Sequence, residues 1–189
     1  MGAFHPHITP ALKTFIEKQH IFFVATAPLS EHGHVNLSPK GLGNFQVISE
    51  TQVAYMDLIS SGNETSAHTL ENGRITVMFC SFEWAPMILK LYGKGHAILP
   101  WGADWDKYAH LFERNIGERQ IIFADIELVQ TSCGFWVPLF AYQSERTRYS
   151  EWAEKKGPDG LQEYIDKYNL KSIDGIPTDL GLTRIWDES

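Results

Sequence analysis

The sequence predicts an α+β protein, mainly β, whose strands run antiparallel in a sheet or barrel with short helices at the periphery. Three observations carry that prediction. Six or seven β-rich runs follow one another, most of them bounded by Gly, Pro, Asn or Ser turns. The helical patterns between them are short, so the regular strand–helix alternation of a parallel sheet is missing. Of the 189 residues, 43% are hydrophobic and 13% aromatic, enough to bury one core of single-domain size.

Thr9 before Pro10 is an N-cap followed by a first-turn proline, and Leu12, Phe15 and Ile16 recur at helical spacing. A short amphipathic helix lying as a lid on the core is expected there. His5 and His7 precede it in a terminus expected to be mobile. Residues 21–27 (IFFVATA) form a continuous apolar run without helical period, a buried strand ended by Pro28 and the polar residues 30–34. In residues 35–40 (VNLSPK) the pattern alternates, with Val35 and Leu37 on one face and Asn36 and Ser38 on the other, so this strand has a polar face to offer. Residues 53–58 (VAYMDL) are the next strand, and 60–63 (SSGN) is turn chemistry ahead of a helix over about 65–72 closed by Gly73. Residues 74–82 and 87–99 read as a hairpin, in which Gly93 and Gly95 mark a bulge or the close approach of another backbone. Trp105, Tyr108, Leu111 and Phe112 share a face and predict a helix over 103–115, and residues 120–130 return to strand. Beyond Gly134 a mixed apolar and basic stretch leads to one or two charged helices over about 150–169 and an irregular tail.

The chain carries 16 Lys and Arg against 23 Asp and Glu, a formal charge of −7, with no basic block. Nucleic acid and acidic membrane surfaces are therefore disfavoured as partners. Cys80 and Cys133 stand far apart without zinc-finger spacing, the N-terminal residues lack a secretory pattern, and no apolar run approaches a membrane span. A cytoplasmic protein of a reducing compartment is expected. Phosphate-loop and dinucleotide glycine motifs are absent, as is a GxSxG elbow. His32 and His34 flank Gly33 with no third ligand in register, so no metal site is expected, and His68 reads as structural or site-flanking.

Residues 34–43 (HVNLSPKGLG) are the most informative. Asn36, Ser38 and Lys40 beside a glycine-rich turn can bring an amide, a hydroxyl and an ammonium to one anionic group, although a solvated edge strand would read the same way. Residues 60–66 (SSGNETS) add hydroxyls and backbone amides at a helix start, which suits a phosphate and equally suits ordinary capping. Trp136, between Gly134 and Pro138, can offer its face to a planar ligand or pack in the core.

Together, VNLSPKG, VAYMDL, SGNETSAHTLENGRITVMF and SCGFWVP resemble the pyridoxamine 5'-phosphate oxidase-like, FMN-binding split-barrel family over about residues 15–152. The resemblance implies a six-stranded antiparallel split β-barrel within one domain (1–189), a helical extension over about 150–189, and a homodimer with FMN sites at its interface. Val35, Asn36, Leu37, Ser38 and Lys40 match the family strand that lies along the flavin and its phosphate; Tyr55 and Met56 match the strand that flanks the ring. Ser61, Thr65 and Ser66 fall where the family binds phosphate, so Lys40 would supply charge and Ser38, Thr65 and Ser66 hydroxyl contacts. Trp136 is similar in position to an aromatic that reaches the flavin from the partner subunit. The chain departs from the oxidase itself in lacking an arginine at the start of VNLSPK and a Ser-Arg-Lys run at SGNETS. Arg146, Thr147 and Arg148 stand where the oxidase carries an Arg-Leu-His-Asp-Arg type motif, and the histidine is missing. The implied function is that of an FMN-dependent oxidoreductase acting on an unidentified small molecule, with no side chain assigned a catalytic role. A flavin or haem carrier or sensor is the non-enzymatic alternative, and oxidation of pyridoxamine 5'-phosphate itself, encouraged by Arg146 and Arg148, is the other enzymatic one.

Overall fold

Antiparallel pairing builds the whole sheet. The computed structural model describes residues 2–181. In chain order its elements are β1 (Ala3–His5), α1 (Pro10–Glu17), β2 (Phe22–Thr26), β3 (Asn36–Lys40), β4 (Phe45–Ser49), β5 (Gln52–Leu58), α2 (Glu64–Asn72), β6 (Arg74–Cys80), β7 (Ile88–Ile98), α3 (Trp105–Ala109), β8 (Glu118–Ser132) and α4 (Arg148–Tyr168). The strands lie in the order β3-β2-β6-β7-β8-β5-β4, and β1 joins the far end of β8. One edge of β8 runs along β7; its other edge is shared by β5 and then β1.

The pleat divides the side chains between two faces. Phe22, Val24, Val53, Tyr55, Val77, Phe79, Leu89, Leu91, Ile122 and Ala124 meet in one interior, which α1 closes with Leu12 and Ile16 as expected of a lid. Alternate residues of the same strands, Ala54, Met56, Ile121 and Phe123, face the other way and are covered by Trp105, Ala109 and Phe112 from α3 and its following turn. A third cluster joins Ile59 to Ala153, Leu161 and Ile165 of α4 and to Leu180.

The mainly antiparallel, helix-poor architecture agrees with the sequence prediction, and three local readings need correction. Eight strands replace the six implied by resemblance. The additional ones are β4, whose half-buried residues show no clean alternation, and β1, too short to show a period. The segment expected to be a mobile terminus is therefore a strand at His5, paired with Val129. The helix expected over 103–115 stops at Ala109, because Leu111 and Phe112 bond back only three residues, to Tyr108 and Ala109; Phe112 still reaches the core. The one or two charged helices expected near the end are two, because α4 is broken at Gly157, which takes φ 63 just before Pro158. Among the described residues no helix is long and apolar enough to cross a membrane.

Candidate functional site

β3 is an edge strand whose residues Asn36, Ser38 and Lys40 pair with Thr26, Val24 and Phe22. Directly paired residues share a face, so the polar alternates of β3 turn inward at the mouth of the barrel. Val35 and Leu37 turn outward and are 73% and 64% exposed. Asn36 donates from Nδ2 to the hydroxyls of Thr26 and Thr65, at 3.2 Å each, and accepts from the Ser38 hydroxyl at 2.9 Å. The wholly buried His68 contacts the same Thr26 hydroxyl through Nδ1 at 3.0 Å, and burial lowers its pKa.

Lys40, last on β3, extends its ammonium to Asp57 of β5 at 2.6 Å, with its Nζ 5.8 Å from the centre of the Tyr55 ring. Asp57 is buried, and its other carboxylate oxygen accepts from Arg119 Nη2 at 2.6 Å, Arg119 Nε at 3.2 Å and Gln120 Nε2 at 2.8 Å. Successive strand residues ordinarily point to opposite faces. Here Arg119 and Gln120 both reach Asp57 because the β5–β8 register shifts between Asp57 and Leu58, a bulge that re-aims Arg119. Burial would raise the Asp57 pKa, but the charges of Arg119 and Lys40 and their hydrogen bonds outweigh it and hold the carboxyl well below the usual range. Burial and the neighbouring Asp57 charge push the Tyr55 hydroxyl upward.

These groups surround a polar cavity of about 200 Å³, lined by Ser38, Lys40, Asp57, the 60–65 loop and Arg119. Lys40 and Arg119 stand against Asp57 and Glu64 in its lining, so the formal charges balance and the cavity offers donors rather than a net charge. The start of α2 forms another side. Its N-cap residue, Asn63, does not cap its own helix; its side chain donates to Asn169 O at 3.1 Å and accepts from Gln120 at 2.8 Å. The amides of Glu64, Thr65 and Ser66 thus have no protein acceptor among the described residues, and the positive end of the helix opens on the cavity. An anion with several acceptor oxygens is the chemical class that satisfies this arrangement.

Of the residues singled out in the sequence, Ser38, Lys40, Ser61 and Thr65 converge on the cavity. Asn36 stands behind it as a hydrogen-bonding brace. Tyr55 and Met56 do not line it: both are buried, and the pleat sends Tyr55 into the main interior and Met56 beneath α3. Ser66 is buried, Val35 and Leu37 face outward, and Trp136 is 97% exposed on the segment after β8. Sequence reading passed over Asp57, Asn63, Arg119, Gln120 and Asn169. One signal was present for Asp57: it continues the inward set Val53 and Tyr55, and a carboxylate on a buried face requires a cation from elsewhere. The partner Arg119 lies 62 residues away in the chain, beyond the reach of any local pattern.

The profile of the family described as pyridoxamine 5'-phosphate oxidase matches residues 8–133. The pyridoxamine 5'-phosphate oxidase family protein ustO of Aspergillus flavus is 36% identical over 201 aligned positions, covering 94% of this chain and 78% of that protein. A crystal structure of a HupZ variant from Group A Streptococcus superposes with a TM-score of 0.53 at 20% identity, over 66% of this chain and 99% of that one. A Lactobacillus delbrueckii protein named as a candidate pyridoxamine 5'-phosphate oxidase superposes with a TM-score of 0.50 at 9% identity, over 66% of this chain and 94% of that one. At such identities the two structures share the fold.

Proposed function

Because the chain belongs to the pyridoxamine 5'-phosphate oxidase family, we propose that it is a flavoprotein that holds FMN by its phosphate in the Lys40 cavity and acts as an oxidoreductase on a small molecule. The observation that carries this reading is the chemistry of the cavity wall: an ammonium, the Thr65 and Ser61 hydroxyls and uncapped α2 amides around one space. They fit a phosphate. Arg119 secures Asp57, which leaves the Lys40 ammonium the more exposed of the two cations. Bound FMN would supply hydride or electron transfer; the chain's own residues bind, orient and shield it. No side chain here is assigned to proton transfer.

Whole-cofactor pockets run to about 300–1,000 Å³, so the cavity of about 200 Å³ takes the phosphate end and leaves the ring to further surface. A second copy of the chain supplies that surface in this reading. The outward Val35 and Leu37 and the exposed Phe135 and Trp136 are the apolar groups such a homodimer would cover. Cys80 and Cys133 are both free thiols, in keeping with a cytoplasmic setting. Arg146 lines a separate cavity in which Glu113 and Glu145 stand beside Arg114, a poor grip for a second phosphate, which favours a substrate other than pyridoxamine 5'-phosphate.

The purified protein is expected to be yellow, or to become so when FMN is added, and its flavin to be reducible by a nicotinamide or deazaflavin-type donor. A protein that stays colourless and takes up no FMN sinks the reading; bound flavin that no donor reduces makes it a carrier or sensor. Lys40→Ala is expected to weaken FMN binding by about 1.5–3 kcal/mol, the scale of one charge-assisted hydrogen bond. Unchanged affinity by fluorescence titration would mean that the phosphate lies elsewhere.

A further inference from the structure

Asn169 lies beyond residues 8–133, the span matched by the family profile. It is the residue that ends α4, outside the barrel strands, and it is wholly buried. Every polar atom of its side chain is committed to the cavity's framework. Oδ1 accepts from Arg119 Nη1 at 2.9 Å, and Nδ2 donates to the carbonyl oxygen of Ser60 at 2.8 Å. Its backbone oxygen accepts from Asn63 Nδ2 at 3.1 Å and from the Thr178 hydroxyl at 2.8 Å. Arg119 Nη1 also donates to the carbonyl of Gly62 at 2.9 Å. The 60–63 loop is thus tied at Ser60, Gly62 and Asn63 to one asparagine and the arginine it orients.

The tie at Asn63 has a chemical effect on the site. Asparagine at an N-cap ordinarily turns its side-chain oxygen back onto the first amides of the helix. Held by the backbone oxygen of Asn169 on one side and by Gln120 on the other, Asn63 leaves those amides open to the cavity, and the Asn169 side chain fixes that backbone through its bonds to Arg119 and Ser60. Asn169 also orients Arg119, which in turn holds Asp57 opposite Lys40. Neither effect requires Asn169 to touch a ligand.

We propose that Asn169 is a positioning residue for the phosphate end of the cofactor, so that the helical segment following the barrel completes the binding site. This rests on the FMN reading above. It predicts a loss confined to the phosphate, which riboflavin, the same ring and chain without phosphate, isolates.

The test titrates the full chain with FMN and with riboflavin, following flavin fluorescence. Wild-type protein is expected to prefer FMN. Asn169→Ala should weaken FMN by about tenfold, the order of one lost hydrogen bond at the loop, and leave riboflavin unchanged. Asn169→Ser, too short to reach both Ser60 and Arg119, should behave alike and serves if the alanine variant does not fold. Leu161→Ala, which loosens the same helix through its apolar contacts, should lower the melting temperature and keep the preference for FMN. If the Asn169 variants retain the wild-type preference, or lose both flavins equally, the positioning role is wrong. If wild-type protein binds neither flavin, the FMN reading itself has failed, a result separable from the other two.

Discussion

Arg119→Met is expected to destabilise the protein by about 3 kcal/mol, the low end of the cost of removing one partner from a buried ion pair. Arg119 is 1% exposed and supplies two of the hydrogen bonds that hold Asp57. Without it the carboxylate stays buried with Lys40 as its one cation and Gln120 as its remaining amide donor, and the carbonyl of Gly62 and Oδ1 of Asn169 lose their donor. Urea unfolding should show a lower midpoint with an unchanged slope; a loss below about 1 kcal/mol would mean that water or local rearrangement compensates the charge. The pH dependence gives a second reading. The folded-state pKa of Asp57 lies below its unfolded value, so the stability linked to its ionisation is fully present above about pH 4 and is lost as pH falls toward the folded value. In Arg119→Met the main cause of that depression is gone, and the loss of stability on acidification should be smaller than in wild type. Pairing the substitution with Asp57→Asn should cost less than the sum of the two, because the groups act as one unit.

Gly93→Ala should be at least as damaging, for a steric reason. A Cβ at Gly93 would lie 2.0 Å from the carbonyl oxygen of Asp125 and 3.0 Å from Cα of Ile126. Both are backbone atoms of β8, which has no side-chain freedom with which to yield. The position falls at the register shift between Tyr92 and Gly93 in the β7–β8 pairing. Overpacking in a core costs about 1–3 kcal/mol; a backbone clash in the central strand pair belongs at the top of that range, a fall in Tm of roughly 6–12 °C for a chain of this size. Gly160→Ala is the control. Its Cβ would meet nothing closer than the Lys156 side chain at 3.4 Å, within a helix that favours alanine, so Tm should hold or rise. Equal melting of Gly93→Ala and wild type would show that β7 and β8 can part without cost.

The two substitutions also mark how much could be read before folding. Gly93 was legible: a glycine inside a strand of Leu, Tyr and Ile has no local reason to be there, and close approach of another backbone is the usual one. Thr9 and Pro10 were legible in the same way, and Thr9 does accept from the Leu12 amide at the start of α1. Gly73 closes α2 in the left-handed conformation its position suggested. At the site, Ser38, Lys40 and Thr65 were found because they sit on a strand end and a helix start, whose geometry is set within a few residues. Tyr55 and Met56 lie on opposite faces of β5, as adjacent strand residues do, so their side chains do not meet at the cavity. Arg119 and Asn169 escaped notice altogether. Neither stands in a motif, and each acquires its role from partners more than 45 residues distant in the chain.

What the sequence determined by itself is most of the elements, β1 and β4 excepted, and the chemistry available at their ends. Apolar runs, caps and turn residues act through local backbone preference and burial, which need no knowledge of the rest of the chain. The tertiary structure alone decided how the charges combine. Asp57 is tolerable inside the barrel only where β3 brings Lys40 and a bulged β8 brings Arg119, and the loop above them is held only where the end of α4 returns Asn169 to its side. Buried charges and buried amides must be satisfied in three dimensions, and sequence distance sets no limit on where their partners come from.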